Sequence, residues 1–260
     1  MRFPWERDDS ERVYGLSKTV FPDNSIKIGY RHDNSIPYSV SLKNHNDIWE
    51  LMLLNDILVR NNRKAFLQIN YLMYQQDDRI FDTYESFGLK VLADMLNGLK
   101  GFEKISVFDP HSDSVCLINN SIVLSASKQI ESTINMIGTD DLCILTPDAG
   151  AYKKYMPQIP TNIPTYSCSK VRGKDGNIKT LVPNEITESK ILIVDDIGIG
   201  CKTHTSISEK FMLDKDVYLY VSHGVFNQGV EHLKPYFKKV FTTDSITTEK
   251  ETEFLKIIKL

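Results

Sequence analysis

The sequence contains no apolar run that approaches the roughly 20 residues needed to cross a membrane. It has no excess of basic residues, because 31 lysines and arginines face 34 aspartates and glutamates, for a net charge of −3. Its four cysteines show no paired spacing, which is expected of reduced thiols and not of disulfides or a zinc site. The opening segment MRFPWERDDSER is charged and lacks the pattern of a signal peptide. These absences predict a cytoplasmic protein with no membrane segment and no nucleic-acid partner.

The sequence has the composition of a globular protein. Hydrophobic residues make up 41% and charged residues 25% of the 260 residues, which is enough chain for one large or two small domains. Short apolar runs predict strands at residues 65–69, 105–108, 142–145, 165–169, 191–194, 217–221 and 239–242. Because segments of helical periodicity lie between most of these runs, we expect parallel sheets covered by helices.

The expected helices carry apolar residues at intervals of three and four. Asp47 is the predicted cap of the first helix, whose apolar face would be Ile48, Leu51, Leu54 and Leu58. The pattern predicts a second helix face from Tyr84, Phe87, Val91 and Met95. Further helices are expected at residues 127–136, 228–237 and 248–260. The polar segment 171–184 is expected to form a mobile hairpin or lid.

Two adjacent carboxylates, Asp195 and Asp196, follow the apolar run 191–194, and a glycine-bearing loop leads from them toward a helix near Lys202. Open α/β sheets bind ligands at the carboxyl ends of their strands, and the free N–H groups of a helix amino terminus suit a phosphate. The segment could therefore hold a sugar diol with carboxylates and a phosphate with amides. Acidic residues at a strand end also serve as metal ligands, phospho-acceptors or helix caps. The two aspartates alone do not decide between these interpretations.

Four more polar clusters follow apolar strands, and they read QQDDR, DPHSD, TPDAG and SHG. His111 can be a metal or phosphate site, or a loop histidine satisfied by its neighbours. Asp148 can be a site residue or a helix cap. Lys170 and Arg172 stand one residue apart in the predicted lid, where they are either solvated charges or a clamp on a transferring phosphoryl group.

The order and spacing of these clusters resemble those of the ribose-phosphate diphosphokinases, or PRPP synthetases. FPDNS is similar to the family's FxDGE nucleotide loop, YQQDDR to its YARQDR loop, and FDPHSD to its DLHAD metal loop. TPDAG is similar to SPDAGG, and SKVR to the family's lid lysine and arginine. VDDIGIGCKT resembles the ribose-phosphate loop VDDxxDTGGT, SHGVF resembles THGVF, and TTDSI resembles TDTI. The resemblance extends from about residue 20 to the end of the sequence.

The resemblance implies an α/β fold of two Rossmann-like domains, of the type I phosphoribosyltransferase kind, related by a pseudo-twofold axis. The expected domains are residues 1–125 and 126–247, with the helix 248–260 packing back on the first. The family transfers the β,γ-diphosphate of ATP, with Mg²⁺, to the anomeric hydroxyl of ribose 5-phosphate and releases AMP. Its members assemble as dimers or larger rings, so the resemblance also implies a homo-oligomer.

The resemblance assigns roles to residues at the matching positions. The ATP site would be formed by Phe21, stacked on adenine, with Asp23, Gln76, Asp77, Arg79 and His111. His111 and Asp148 would hold the metal–phosphate assembly, and Lys170 and Arg172 would neutralise charge during transfer. Asp195 and Asp196 would bind the ribose diol. The 5′-phosphate would be held by Gly198, Ile199, Gly200, Cys201, Lys202 and Thr203.

The sequence departs from the family at several of these positions. FPDNS lacks the family's Gly-Glu, and Gln76 stands where the family has an arginine that contacts ATP. Ile199 and Gly200 replace an aspartate and a threonine of the phosphate loop. A phosphate monoester carries nearly two charges and favours a dense nest of donors. This change therefore indicates either a different 5′ substituent or ordinary drift in a loop that still binds ribose 5-phosphate through its backbone. Some viral relatives diphosphorylate ADP-ribose as a step in rebuilding NAD, which makes ADP-ribose an alternative acceptor to ribose 5-phosphate.

Two further readings stay open. A non-catalytic family member that regulates a true synthetase would tolerate the loss of the arginine at Gln76. The retained His111, Asp148, Lys170 and Asp195 argue against it. A phosphoribosyltransferase would share the VDD loop but would not explain DPHSD, SKVR and SHG together.

Overall fold

The computed structural model describes residues 16–30, 38–172, 178–183 and 185–260. The chain separates into two compact units, Met1–Leu124 and Ser125–Leu260, next to the break expected near residue 125. Each unit is built on its own sheet of parallel strands. The α/β class with parallel sheets predicted from the sequence is therefore confirmed.

The first unit contains a hairpin and a four-stranded sheet. The hairpin pairs β1 (Leu16–Val20) and β2 (Ile26–Tyr30) antiparallel. The sheet has the order β3 (Tyr38–Leu42), β4 (Ala65–Leu72), β5 (Phe102–Phe108) and β6 (Ser121–Leu124), all parallel. The helices are α1 (His45–Arg60), α2 (Gly88–Asn97) and a 3-10 turn, Asp113–Leu117. Leucines of α1 and α2 pack on the sheet and form the core of this unit.

Two details of the helices in the first unit differ from the sequence prediction. Asn44 caps α1, and Asp47 is the third helical residue, whose carboxylate accepts from the Asn44 N–H at 3.0 Å in a capping box. The buried face of α2 consists of Leu89, Leu92, Ala93 and Leu96. The helix begins only at Gly88, so the predicted Tyr84 lies outside it and is 98% exposed.

The second unit is built on a six-stranded parallel sheet. Its order is β14 (Leu255–Ile258), β13 (Lys239–Thr243), β12 (Asp216–Gly224), β11 (Lys190–Gly198), β7 (Leu142–Thr146) and β8 (Thr165–Ser167). A separate antiparallel hairpin joins β9 (Ser169–Arg172) to β10 (Ile178–Leu181), where the sequence predicted a hairpin. The helices are α3 (Ser127–Ile137), α4 (Ala149–Tyr155), α5 (Lys202–Ser208) and the 3-10 turns Met156–Gln158 and Glu231–Leu233.

Two helices predicted in the second unit are not formed. The segment 228–237 contains only the 3-10 turn Glu231–Leu233. The expected helix at 248–260 is instead the strand β14, which pairs parallel with β13 at the edge of the second unit's own sheet. Adjacent β-branched residues, Ile257 and Ile258, favour a strand, and pairing places the side chain of Leu255 wholly in the core.

No helix in the described ranges is long and apolar enough to cross a membrane.

The buried position of Leu255 predicts how the tail contributes to stability. Leu255→Ala should lower the free energy of unfolding by about 2–5 kcal/mol, because it leaves a cavity in a closely packed sheet core. Leu260→Ala is the matched control, since that side chain is 38% exposed and should change stability by no more than about 0.5 kcal/mol. Urea unfolding measures both. Equal effects of the two substitutions would contradict the strand assignment of the tail.

Candidate functional site

The carboxylates Asp195 and Asp196 lie in the second half of β11, not beyond its end. The strand continues to Gly198, since it pairs with β12 as far as Gly198 opposite Gly224. Its pairing with β7 already stops at Ile193 opposite Leu145. The two aspartates therefore occupy the part of β11 that extends past its neighbour, which is where a parallel sheet opens toward ligands.

Both oxygens of the Asp195 carboxylate are engaged by the protein. Oδ1 accepts a hydrogen bond from the backbone N–H of Asp196 at 2.9 Å. Oδ2 lies 2.9 Å from Nε2 of His204, the third residue of α5. The side chain of His204 is 6% exposed and that of Asp195 is 21% exposed, so this is a largely buried ion pair. His204 is not among the residues predicted from the sequence.

The pair shifts the titration of both partners. Burial by itself disfavours the charged imidazole, but the hydrogen bond and negative charge of Asp195, with the sulfur of Cys201, outweigh it and raise the pKa of His204 from 6.5 to about 10. Burial likewise opposes ionisation of Asp195, and the hydrogen bond and charge of His204 overcome it and lower the pKa of that carboxyl. At neutral pH the pair therefore consists of imidazolium and carboxylate.

Asp196 is more buried than Asp195, and a cation from another element lies near it. Its side chain is 7% exposed, and Oδ2 lies 4.0 Å from Nζ of Lys154 on α4. The same ammonium lies 5.0 Å from the ring centroid of Tyr155. Lys154 was also not predicted, although it follows the TPDAG cluster by only a few residues.

The loop after the carboxylates is fixed at its start. The carbonyl oxygen of Gly198 accepts from the N–H groups of Val225 at 2.9 Å and Phe226 at 3.0 Å. A Cβ on Gly198 would lie 3.1 Å from Sγ of Cys201, and one on Gly224 would lie 2.3 Å from a ring carbon of Phe226. A side chain at Gly224 would therefore require Phe226 and Thr242 to move, whereas at Gly198 the neighbouring side chains would have to shift by only a few tenths of an ångström.

The middle of the loop is more open. The side chain of Ile199 is 37% exposed, and a Cβ on Gly200 would meet Oδ1 of Asn227 only at 3.6 Å. Cys201 precedes α5 in the left-handed region, with φ of 52°, and makes no side-chain capping bond. Lys202 is exposed and Thr203 is half-buried at the start of the helix.

Two other predicted sites of the second unit can be placed. Asp148 caps α4, because its Oδ1 accepts from the N–H of Ala151 at 3.0 Å. Lys170 and Arg172 lie in β9, opposite Thr180 and Ile178 of β10. The side chains of the two cations, and residues 173–177 between the strands, lie outside the described part of the chain.

In the first unit the structure links the two loops that follow β4 and β5. The N–H of His111 donates to Oε1 of Gln75 at 3.0 Å, and the hydroxyl of Ser114 donates to the carbonyl of Asp78 at 3.3 Å. Asp78 is buried and pairs with exposed Arg79 at 2.9 Å. That hydrogen bond, with further help from Ser112 and His111, lowers the pKa of Asp78.

The residues predicted in the loop after β4 differ in burial and in hydrogen bonding. The carboxylate of Asp77 accepts from the N–H of Gly88 at 2.7 Å and so anchors the start of α2. Gln76 is exposed. Gln75 and Asp78, which the sequence analysis did not select, are the buried members of the loop. QQDDR is polar throughout, so no pattern in the sequence distinguishes its buried residues from its exposed ones.

The hairpin loop of the first unit explains one departure from the family motif. Asn24 has φ of 64°, and its N–H donates to the carbonyl of Phe21 at 2.9 Å. Asparagine tolerates this left-handed conformation better than most residues, so it fills the place of the family's glycine. Asp23 accepts from the N–H of Ser25 at 3.0 Å, and the ring of Phe21 is 44% exposed.

Within the described ranges, no cluster of three or more histidine, cysteine, aspartate or glutamate side chains could hold a metal by itself. This arrangement still fits Mg²⁺, which keeps several waters and is usually bound through one or two carboxylates together with substrate phosphates. Asp148 is a carboxylate of the chemical type that such binding uses.

Both units place polar side chains at the carboxyl ends of parallel strands, and the chain is similar in sequence to known enzymes. The chain is 27% identical over 242 residues to the ribose-phosphate pyrophosphokinase of Pyrococcus furiosus, covering 88% of this chain and 85% of the relative. It is 22% identical over 224 residues to the ribose-phosphate pyrophosphokinase of Bradyrhizobium diazoefficiens, covering 82% and 70%. No protein-family model matches the chain.

A solved structure extends the comparison to the fold. The crystal structure of phosphoribosylpyrophosphate synthetase from Mycobacterium smegmatis has a TM-score of 0.77 and 18% identity, over 96% of this chain and 87% of that one. The relatives support the resemblance to the ribose-phosphate pyrophosphokinase family. The enzyme class predicted from the sequence, a pyrophosphokinase-like transferase, is confirmed.

The ion pair makes stability depend on pH in a defined direction. The pKa of His204 is 6.5 in an ordinary environment and about 10 in the fold, so between these values the folded state keeps a proton that the unfolded state releases. The stabilising contribution is full below about pH 6.5 and is lost as pH rises toward 10, with a slope of up to about 1.4 kcal/mol per pH unit.

Urea unfolding of the wild type and His204→Gln across this range measures the effect. The stability advantage of the wild type over the variant should shrink steadily as pH rises. An advantage that stays constant with pH would show that the ring is not charged in the fold.

Proposed function

We propose that this protein transfers the β,γ-diphosphate of ATP to the anomeric hydroxyl of a ribose-5-phosphate moiety and releases AMP. The observation that carries the proposal is the Asp195–Asp196 pair on β11, fixed by His204 and Lys154 and followed by the glycine-bearing loop. The relatives, which are named as ribose-phosphate pyrophosphokinases, support the same reaction class.

The carboxylates suit a ribose diol. An ionised carboxylate has about four acceptor positions, and the protein fills one on each oxygen of Asp195. Two positions therefore remain for the two vicinal hydroxyls of a sugar. Because the pair with His204 holds the carboxylate in place, little conformational freedom is lost on binding.

The following loop suits the 5′ end of the same sugar. The first N–H groups of α5 have no partner within the helix, and Cys201 offers them no side-chain cap. Lys202 adds an exposed cation. Amide groups and one cation together can hold a phosphate.

The first unit carries the residues that we assign to ATP. The exposed ring of Phe21 can stack on adenine. Asp23, Gln76, Asp77, Arg79 and His111 lie in the hairpin and in the two linked loops. Mg²⁺ would be held by the substrate phosphates with Asp148 of the second unit, and when bound it neutralises phosphate charge. Lys170 and Arg172 of β9 stabilise the charge that develops during transfer.

Turnover should depend strongly on Lys170. Lys170→Ala should reduce the rate of AMP formation by about 10²–10³, with ATP affinity nearly unchanged, because the cation acts on the transition state. Lys179→Ala is the matched control, since Lys179 belongs to the same hairpin but pairs with Val171. Equal losses of rate and of ATP affinity in Lys170→Ala would contradict the assignment of Lys170 to transition-state stabilisation.

We further propose that the acceptor is ADP-ribose, whose 5′-phosphate carries an additional group. An esterified phosphate has one charge fewer than a monoester, so it needs fewer donors around it. The partly exposed Ile199 and the open space at Gly200 provide fewer polar side chains and more room than the family's aspartate and threonine.

Supplying Mg-ATP with each acceptor and measuring AMP identifies the substrate. ADP-ribose should support AMP release at least about tenfold faster than ribose 5-phosphate, which corresponds to about 1.4 kcal/mol of discrimination. Release of AMP with ribose 5-phosphate alone would reject the ADP-ribose proposal but leave the proposal of diphosphate transfer intact. Absence of release with both would reject the diphosphokinase itself.

A further inference from the structure

We propose that His204 is a positioning residue of the acceptor site, which orients and charge-balances Asp195 for the ribose diol. The proposal rests on the proposed function, and it concerns a residue that neither the motif resemblance nor the comparisons assign.

The contact between the two residues is direct and protected. Nε2 of His204 lies 2.9 Å from Oδ2 of Asp195, and the histidine side chain is 6% exposed. The second oxygen of Asp195 is held by its neighbour's N–H at 2.9 Å. A carboxylate held at both oxygens cannot rotate freely about its Cβ–Cγ bond, so the remaining acceptor positions have fixed directions.

The element that carries His204 is itself firmly anchored. Ile207, one turn further along α5, is wholly buried in the core of the second unit. The hydroxyl of Ser208 donates to the carbonyl of Tyr236. Because the buried face of α5 consists of His204, Ile207 and Ser208, the imidazole is set by packing and not by a mobile loop. Rigid supporting elements of this kind keep a binding group in its productive geometry.

The charge of His204 has a second consequence for the acceptor. Two ionised aspartates side by side would repel a substrate that carries a phosphate. The imidazolium cancels one of these charges, and Lys154 lies 4.0 Å from the other carboxylate. The sugar site therefore keeps its hydrogen-bond acceptors without presenting a net negative charge to an anionic ligand.

Two substitutions separate the geometric effect from the charge effect. In His204→Gln, the side-chain amide can still donate to Asp195 but carries no charge. In His204→Leu, both the donor and the charge are lost, and Asp195 becomes a buried carboxylate without its main partner. His232→Gln is the matched control, because His232 bonds the carbonyl of Gly229 in the same unit.

The experiment measures the KM for each acceptor, the KM for ATP and kcat, together with the melting temperature of each variant. His204→Leu should raise the KM of the acceptor that the wild type uses by at least about tenfold, or 1.4 kcal/mol, and change the KM of ATP by less than about threefold. His204→Gln should fall between the wild type and His204→Leu, and His232→Gln should match the wild type.

A merely structural role gives a different pattern. If His204→Leu lowers the melting temperature but leaves the acceptor KM unchanged, or raises both KM values equally, the proposal is wrong. If His204→Leu does not fold, an acceptor KM of His204→Gln equal to that of the wild type overturns it.

A failure of the proposed function is distinguished from a failure of the His204 proposal by the AMP release of the wild type. If the wild type releases no AMP with either acceptor, calorimetric binding of ADP-ribose and ribose 5-phosphate replaces the kinetic comparison. Weaker binding by His204→Leu would then support the positioning role without the reaction. Absence of binding by the wild type would overturn both proposals.

Discussion

The burial of β11 determines which partners the carboxylates Asp195 and Asp196 need. Residues 191–194 are wholly buried, between β7 and β12, so Asp195, the next residue of the strand, lies where water is scarce and a carboxylate needs a partner. His204 meets this need from α5. The loop between strand and helix is consequently held at both ends, at Gly198 by Val225 and Phe226 and at His204 by Asp195. The position of the loop depends on that double attachment.

Much of the architecture could be predicted because parallel strands buried on both faces are continuous apolar runs. The runs at 142–145 and 191–194 lie inside β7 and β11. The position of Asp195 and Asp196 near a strand end followed from the same pattern. Prediction was less successful where local sequence and tertiary pairing compete. Residues 250–260 are compatible with a helix in isolation, but residues 255–258 form a strand because they pair with β13.

The partners of the site residues could not be predicted, because they come from separate elements. Nothing in the spacing of nine residues between Asp195 and His204 identifies an ion pair, since the geometry depends on the left-handed residue Cys201 that turns the chain into α5. The link between Gln75 and His111 joins loops 36 residues apart. Such contacts require the positions of two strands to be known first, whereas a cap such as Asp148 is encoded within a few residues.

The two glycines at the ends of β11 and β12 have a consequence for how this enzyme can diverge. Gly198 and Gly224 face each other in register, and neither has room for a methyl group without displacing Cys201, Val221 or Phe226. A substitution at either position therefore disturbs the packing of these side chains first. Ile199 is partly exposed and Gly200 has open space around it, so the middle of the loop can change its side chains without disturbing that packing.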